Sequence, residues 1–266
     1  MPTVKVNDIS MYYEIIGEGE PLVLIEGLGY STWMWYKQLD ELSKHFKVIM
    51  FDNRGVGKTD KPDSEYSIEM MADDLAGLLR SLNIKKTHIL GVSMGGFIAQ
   101  QFSANYPEMV DRLILCSTSF GGPNSIPIPQ ETLDIMMKGG GEYKTLLDIK
   151  KAISTAFYDG KIPEDREVLD KIMTEKRQEP QPKYAYQRQL MAGASFNGEA
   201  NTQKIKAETL IVAGEKDKVV PPENAHLLHE RICSSKLEII ENGGHVFFME
   251  QPDKSNEVFL NFLTQK

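Results

Sequence analysis

The five residues Gly91-Val92-Ser93-Met94-Gly95 restrict what this chain can fold into more than any other feature of it. They stand between an apolar, β-branched run, Thr87–Val92, and a helical pattern over Met94–Asn105. A strand that enters a helix through so short a turn forces the central residue into a strained backbone conformation. Glycine at 91 and 95 removes the side chains that would collide as strand and helix close together. The G-x-S-x-G pattern then holds the Ser93 hydroxyl clear of the sheet, above a helix N-terminus.

The rest of the chain repeats that strand-then-helix rhythm, which predicts an α/β fold with a mostly parallel sheet and helices on both faces. Buried strands are expected at Leu22–Glu26, Lys47–Phe51, Thr87–Val92, Arg112–Ser117, Leu210–Gly214 and Leu237–Glu241. Continuous apolar runs of this kind suit strands covered on both faces. Thr3–Val6 and Ser10–Ile15 alternate polar with apolar residues and read as an antiparallel hairpin at the sheet edge, for eight strands in all. Helices are expected over Ser67–Leu82, Met94–Asn105, Pro222–Ile232 and Lys254–Leu263. From Gly121 to Lys206 the rhythm stops, and only helical patterns remain. The expected organisation is therefore a core domain of residues 1–120 and 207–266, with 121–206 inserted after the sixth strand as a helical cap.

Composition narrows the function. The 266 residues carry a formal charge of −8, which argues against nucleic acid as a partner. The N-terminus lacks an apolar core of signal-peptide length, and no apolar run approaches the roughly 20 residues that span a bilayer. The expectation is a cytoplasmic protein with no membrane partner. Of the two cysteines, Cys116 lies in an apolar run and reads as a buried free thiol rather than half of a bridge.

A serine hydroxyl needs a base to become a nucleophile. Among five histidines, His88 is in a buried strand, and His45 precedes a strand at the end of the sheet away from the turn. His226 and His229 lie one helical turn apart with no third ligand nearby, so a solvated face is expected and no metal. His245 follows the last strand, at the carboxyl end where ligands gather in such sheets, and is the candidate base. Only its neutral imidazole can take a proton. An acid must orient that imidazole; Asp217, after the Leu210–Gly214 strand, is chosen over Glu215, which leaves the strand too early.

Two backbone N–H groups should hold the developing oxyanion: Met94, after the serine, and Leu28, in the loop Glu26-Gly27-Leu28-Gly29-Tyr30. Gly27 and Gly29 let that loop approach a substrate, and Trp33, Val246 and Phe247 are expected to line the pocket. The cap contributes Met136, Met137, Phe157, Tyr158, Tyr184, Tyr186, Met191 and Phe196, some facing the site and about half packing on one another. This apolar lining points to uncharged esters with short to medium acyl chains. Two nucleotide signatures fail: a P-loop would need glycine where Asp52 stands, and Gly17-Glu18-Gly19 has Leu22 in place of the last glycine. No cofactor is expected.

Nearly the whole chain resembles the α/β-hydrolase fold family, whose triad order matches Ser93…Asp217…His245. The turn Asp52-Asn53-Arg54-Gly55-Val56-Gly57-Lys58-Thr59-Asp60 is similar to that family's D-x-R-G-x-G-x-S-D, and Gly244-His245…Glu250-Gln251-Pro252 also matches. The resemblance is nearest to small carboxylesterases and enol-lactonase-like members. It implies a serine hydrolase of small carboxylic esters working through an acyl-enzyme. An enol-lactonase or C–C bond hydrolase with the same triad stays open, as does a hydrolase-like small-molecule receptor with slow turnover. If a lactone were preferred, Arg188 or Arg54 would be candidates for its carboxylate. Many relatives have His-Gly where this chain has Glu26-Gly27. Glu26 is expected to be a buried, hydrogen-bonded carboxyl, the alternative being contact with substrate.

Overall fold

Each central strand sorts its residues onto two faces with period two, and both faces are covered. The computed structural model of the chain describes residues 2–138, 153–158 and 166–265. Val23, Ile25, Ile49, Ile89, Leu113, Leu115 and Ile211 pack on one side with the helices Ile68–Ser81, Met94–Asn105 and Glu223–Arg231. Their neighbours Leu22, Leu24, Val48, Met50, Leu90, Ile114 and Val212 pack on the other side with Trp35 and the C-terminal helix Pro252–Leu263. Such double coverage explains the near-continuous apolar runs.

Among the described residues eight strands form one sheet: β1 (Thr3–Val6), β2 (Ile9–Ile16), β3 (Glu20–Ile25), β4 (Phe46–Phe51), β5 (Thr87–Val92), β6 (Val110–Cys116), β7 (Glu208–Gly214) and β8 (Ser235–Ile240). The spatial order is β1-β2-β4-β3-β5-β6-β7-β8. β1 and β2 pair antiparallel, as do β2 and β4, while every pair from β4 to β8 is parallel. From β3 the chain passes to β4 on one side and, later, to β5 on the other. The crevice beyond the carboxyl ends of β3 and β5 is therefore the topological switch point, where ligands bind in open α/β sheets.

β8 departs from the expectation of a strand buried on both faces. It is the last strand of the sheet, and Lys236 and Glu238 are exposed on it. The helix expected from Lys254 begins earlier, at Pro252, with proline in its first turn. Cys116 is a buried free thiol. Between β6 and β7 the described residues form the helices Gln130–Met137, Arg166–Gln178, Lys183–Ala194 and Glu199–Thr202, with one isolated bridge from Gly121 to Asn197. Residues 139–152 and 159–165 of this interval lie outside the described residues. No described helix is long and apolar enough to cross a membrane.

Candidate active site

At the end of β5 the backbone of Ser93 takes φ 56° and ψ −119°, a conformation costly for any residue with a side chain. The surrounding backbone fixes it. Ser93 N–H donates to the Cys116 carbonyl at 2.9 Å, and the Ser93 carbonyl accepts from Gly96 N–H at 2.9 Å and from Thr118 Oγ1 at 2.8 Å. A Cβ at Gly91 would lie 2.4 Å from the Gly95 carbonyl oxygen, and one at Gly95 2.2 Å from that of Ile25. Glycine is therefore required at both positions, as the sequence implied. The Ser93 side chain keeps partial solvent contact.

The β3–β5 register pairs Ile25 with Gly91, so the loop after β3 runs beside the elbow. A Cβ on Gly27 would stand 3.3 Å from Ser93 Cβ and 3.8 Å from its Oγ. In this loop Tyr30 N–H donates to the Gly27 carbonyl at 3.3 Å, and Gly29 N–H to Gln189 Oε1 at 3.2 Å. Leu28 N–H has no acceptor among the described residues. Met94 opens its helix, so its N–H belongs to the first turn, which has no intrahelical acceptors. Gly29 differs from the expectation of substrate contact. Its N–H is taken, and Tyr186 and Gln181 side-chain atoms lie 3.2–3.3 Å from where its Cβ would be.

Asp217 and His245 meet beyond β7 and β8. Asp217 Oδ2 accepts from His245 Nδ1 at 2.8 Å, and Oδ1 accepts from both Val219 N–H and Val220 N–H at 2.8 Å. An ionised carboxylate only accepts, so the shared proton sits on Nδ1 and Nε2 is left as the acceptor. Both residues are buried. Glu215 is exposed; it accepts from Asn242 N–H at 3.1 Å and pairs with Lys216. Those two contacts hold its carboxyl below the usual range and keep it out of the site.

Glu26 is completely buried, and its Oε1 accepts from Asn53 N–H at 2.9 Å and Asn53 Nδ2 at 3.2 Å. Burial, and then the Asp52 carboxylate, hold it well above the ordinary carboxylate range. It ties the end of β3 to the turn after β4. Arg54 is taken up in structural ion pairs. It is buried, bonded to Asp74 at 2.6 and 3.0 Å and to Asp8 at 2.9 Å. Arg188 is part-exposed and faces Asp63 at 3.5 Å.

The large apolar and aromatic side chains of the cap divide. Phe157 and Phe196 are buried in packing, while Met137, Tyr184 and Met191 are exposed. Tyr158 N–H reaches the base loop, donating to Glu250 Oε1 at 2.5 Å, and Tyr186 covers Gly29 while donating to the Met136 carbonyl at 3.0 Å. Trp33 is part-buried against Tyr30, with ring centroids 5.2 Å apart. Val246 and Phe247 sit in the core cluster beneath the base loop rather than in an open pocket.

Three further residues support this site. Thr118 anchors the elbow carbonyl. Glu250 accepts from Gly244 N–H at 2.8 Å and so steadies the Gly243–Gly244 peptide in the loop that leads to His245. Gln189 reaches the glycine loop from the cap. Only Glu250 had a sequence signal, its place in the Glu250-Gln251-Pro252 run.

A strained serine above a helix N-terminus, with a carboxylate-oriented imidazole on the same edge of the sheet, is equipped for hydrolysis, and the class such a fold defines is the α/β hydrolases. Residues 20–252 match the family model of the alpha/beta hydrolase fold, so the chain belongs to that family. It is 31% identical over 269 residues to 2-hydroxy-6-oxononadienedioate/2-hydroxy-6-oxononatrienedioate hydrolase 1 of Pseudomonas putida, across 97% of this chain and 93% of that one. It is similar to the solved structure of an esterase from Exiguobacterium antarcticum, with 25% identity, a TM-score of 0.87 and 99% of each chain covered. For the enol-lactonase from Burkholderia xenovorans LB400 the identity is 26% and the TM-score 0.85, over 99% of this chain and 100% of that one.

Proposed function

We propose that this hydrolase cleaves small carboxylic esters through an acyl-enzyme. Ser93 Oγ attacks the acyl carbon and its proton passes to His245 Nε2. Leu28 N–H and Met94 N–H hold the oxyanion, worth on the order of 10²–10³ in rate per donor in comparable sites. The imidazolium returns the proton to the departing alkoxide. Water, deprotonated by His245, then attacks the acyl-enzyme, the carboxylic acid leaves, and Ser93 regains its proton. Residues 121–206 form the cap over a core of 1–120 and 207–266.

The observation that carries this reading is the Asp217–His245 pair, which fixes the tautomer a serine base requires. The test is kcat/KM for acetate, butyrate, octanoate and palmitate esters beside a dianionic enol-lactone, with Ser93→Ala as the blank. Short and medium esters should lead and palmitate should trail. A clear lead for the lactone would favour the second reading, an enol-lactonase or C–C bond hydrolase using the same three residues. The names of the relatives from Pseudomonas putida and Burkholderia xenovorans support that alternative.

A further inference from the structure

Gln189 lies on the helix Lys183–Ala194 and is completely buried. A buried amide is costly unless its polar atoms are bonded, and a leucine of similar volume would avoid that cost. The bonds that Gln189 makes therefore indicate what it does. Its Oε1 accepts from Gly29 N–H at 3.2 Å and from Gln181 Nε2 at 3.0 Å, and its Nε2 donates to the Arg54 carbonyl at 2.8 Å. Gln181 Nε2 also donates to the Gly55 carbonyl at 2.9 Å. Two cap amides thus join the loop after β3 to the turn after β4, through three backbone groups of the core.

The Gly29 N–H belongs to the peptide between Leu28 and Gly29. Holding it toward the cap fixes the rotation of that peptide, while the Tyr30 N–H bond to the Gly27 carbonyl holds the preceding one, the peptide that carries Leu28 N–H. Leu28 N–H has no acceptor among the described residues and is next in the chain to the glycine packed on Ser93. We propose that Gln189 is a positioning residue for the oxyanion hole: through Gly29 and Arg54 it sets the orientation in which Leu28 N–H meets the reacting carbonyl oxygen. The inference rests on the ester-hydrolase reading above. It makes the cap part of the catalytic geometry as well as a wall of the pocket.

An oxyanion donor acts mainly in the transition state, so misplacing it lowers kcat more than it raises KM. Gln189→Leu keeps the volume and removes the bonds. It should lower kcat for p-nitrophenyl butyrate by roughly 10- to 100-fold, with KM within about threefold. Affinity for an alkyl boronic acid, which forms a tetrahedral adduct on the serine, should fall by a similar factor. Gln189→Glu keeps both the reach and the acceptor. Burial and the facing Arg54 carbonyl favour the protonated carboxyl, which can still donate there, so most of the lost kcat should return. Three results would overturn the inference: an unchanged kcat in Gln189→Leu, a loss confined to KM, or an equal loss in both variants accompanied by a fallen Tm. Wild-type protein that turns over no ester or lactone would overturn the hydrolase reading itself, whereas active wild type beside an unimpaired Gln189→Leu would overturn this inference alone.

Discussion

Asp217 grips His245 with one carboxylate oxygen and is itself gripped through the other. Oδ2 accepts from His245 Nδ1 at 2.8 Å, while Oδ1 takes the N–H groups of Val219 and Val220. The carboxylate cannot rotate without losing three bonds, so the imidazole it holds keeps Nε2 free to accept a proton.

Asp217→Asn tests that geometry. The amide oxygen would occupy the Oδ1 position, where two N–H groups require an acceptor. The NH2 would then face His245 Nδ1 and force the proton onto Nε2, the wrong tautomer for a base. kcat/KM for p-nitrophenyl butyrate should fall by about 10⁴, with Tm little changed. Glu215→Gln should change it by less than about threefold. If Glu215→Gln is the more damaging, the acid is misassigned.

Glu26 gives a pH test of the fold. Its buried carboxyl sits above the ordinary range, so the folded state holds this proton more tightly than the unfolded chain. Its contribution is full at acid pH and is lost as pH rises from the ordinary carboxylate range through the raised folded value. Gln supplies the same acceptor to Asn53 without a titrating group. Between about pH 5 and about pH 9 the Tm of Glu26→Gln should therefore fall less than that of wild type. Equal slopes would show that Glu26 is not held protonated.

Arg54 is committed to structure. With Asp74 it forms a pair in which both side chains are 1% exposed, and removing one partner of such a pair costs on the order of 3–5 kcal/mol. Arg54→Ala should lose that much stability in urea unfolding. A stable variant with a selectively raised KM for a carboxylate-bearing lactone would contradict this assignment.

Legibility in the sequence followed the range of the interactions. β3 through β7 could be read because both faces are covered and their residues are nearly all apolar. Ser93, Asp217 and His245, the proposed triad, stand out because each lies just beyond the carboxyl end of one of these strands or of their neighbour β8. For β8 the apolar residues suggest full burial, although the alternation of Lys236 and Glu238 between them is the mark of its edge position. What stayed hidden depends on contacts between distant parts of the chain. Gln189 sits on the helix Lys183–Ala194 and Gln181 just before it, and nothing local says that they bond Gly29, Arg54 and Gly55. Arg54 meets Asp74 across 20 positions, with no periodic signal between them. The place of Phe247 two residues after His245 suggests pocket lining, but it opens a short helix and is buried in the core.

The central claim is that Ser93 is the nucleophile, and covalent labelling tests it most directly. Wild-type protein treated with a serine-directed fluorophosphonate should gain one adduct in its intact mass. Peptide mapping should place that adduct on Ser93, and Ser93→Ala, folded with an unchanged Tm, should gain none. An adduct on another serine, or continued labelling and turnover in Ser93→Ala, would contradict the assignment.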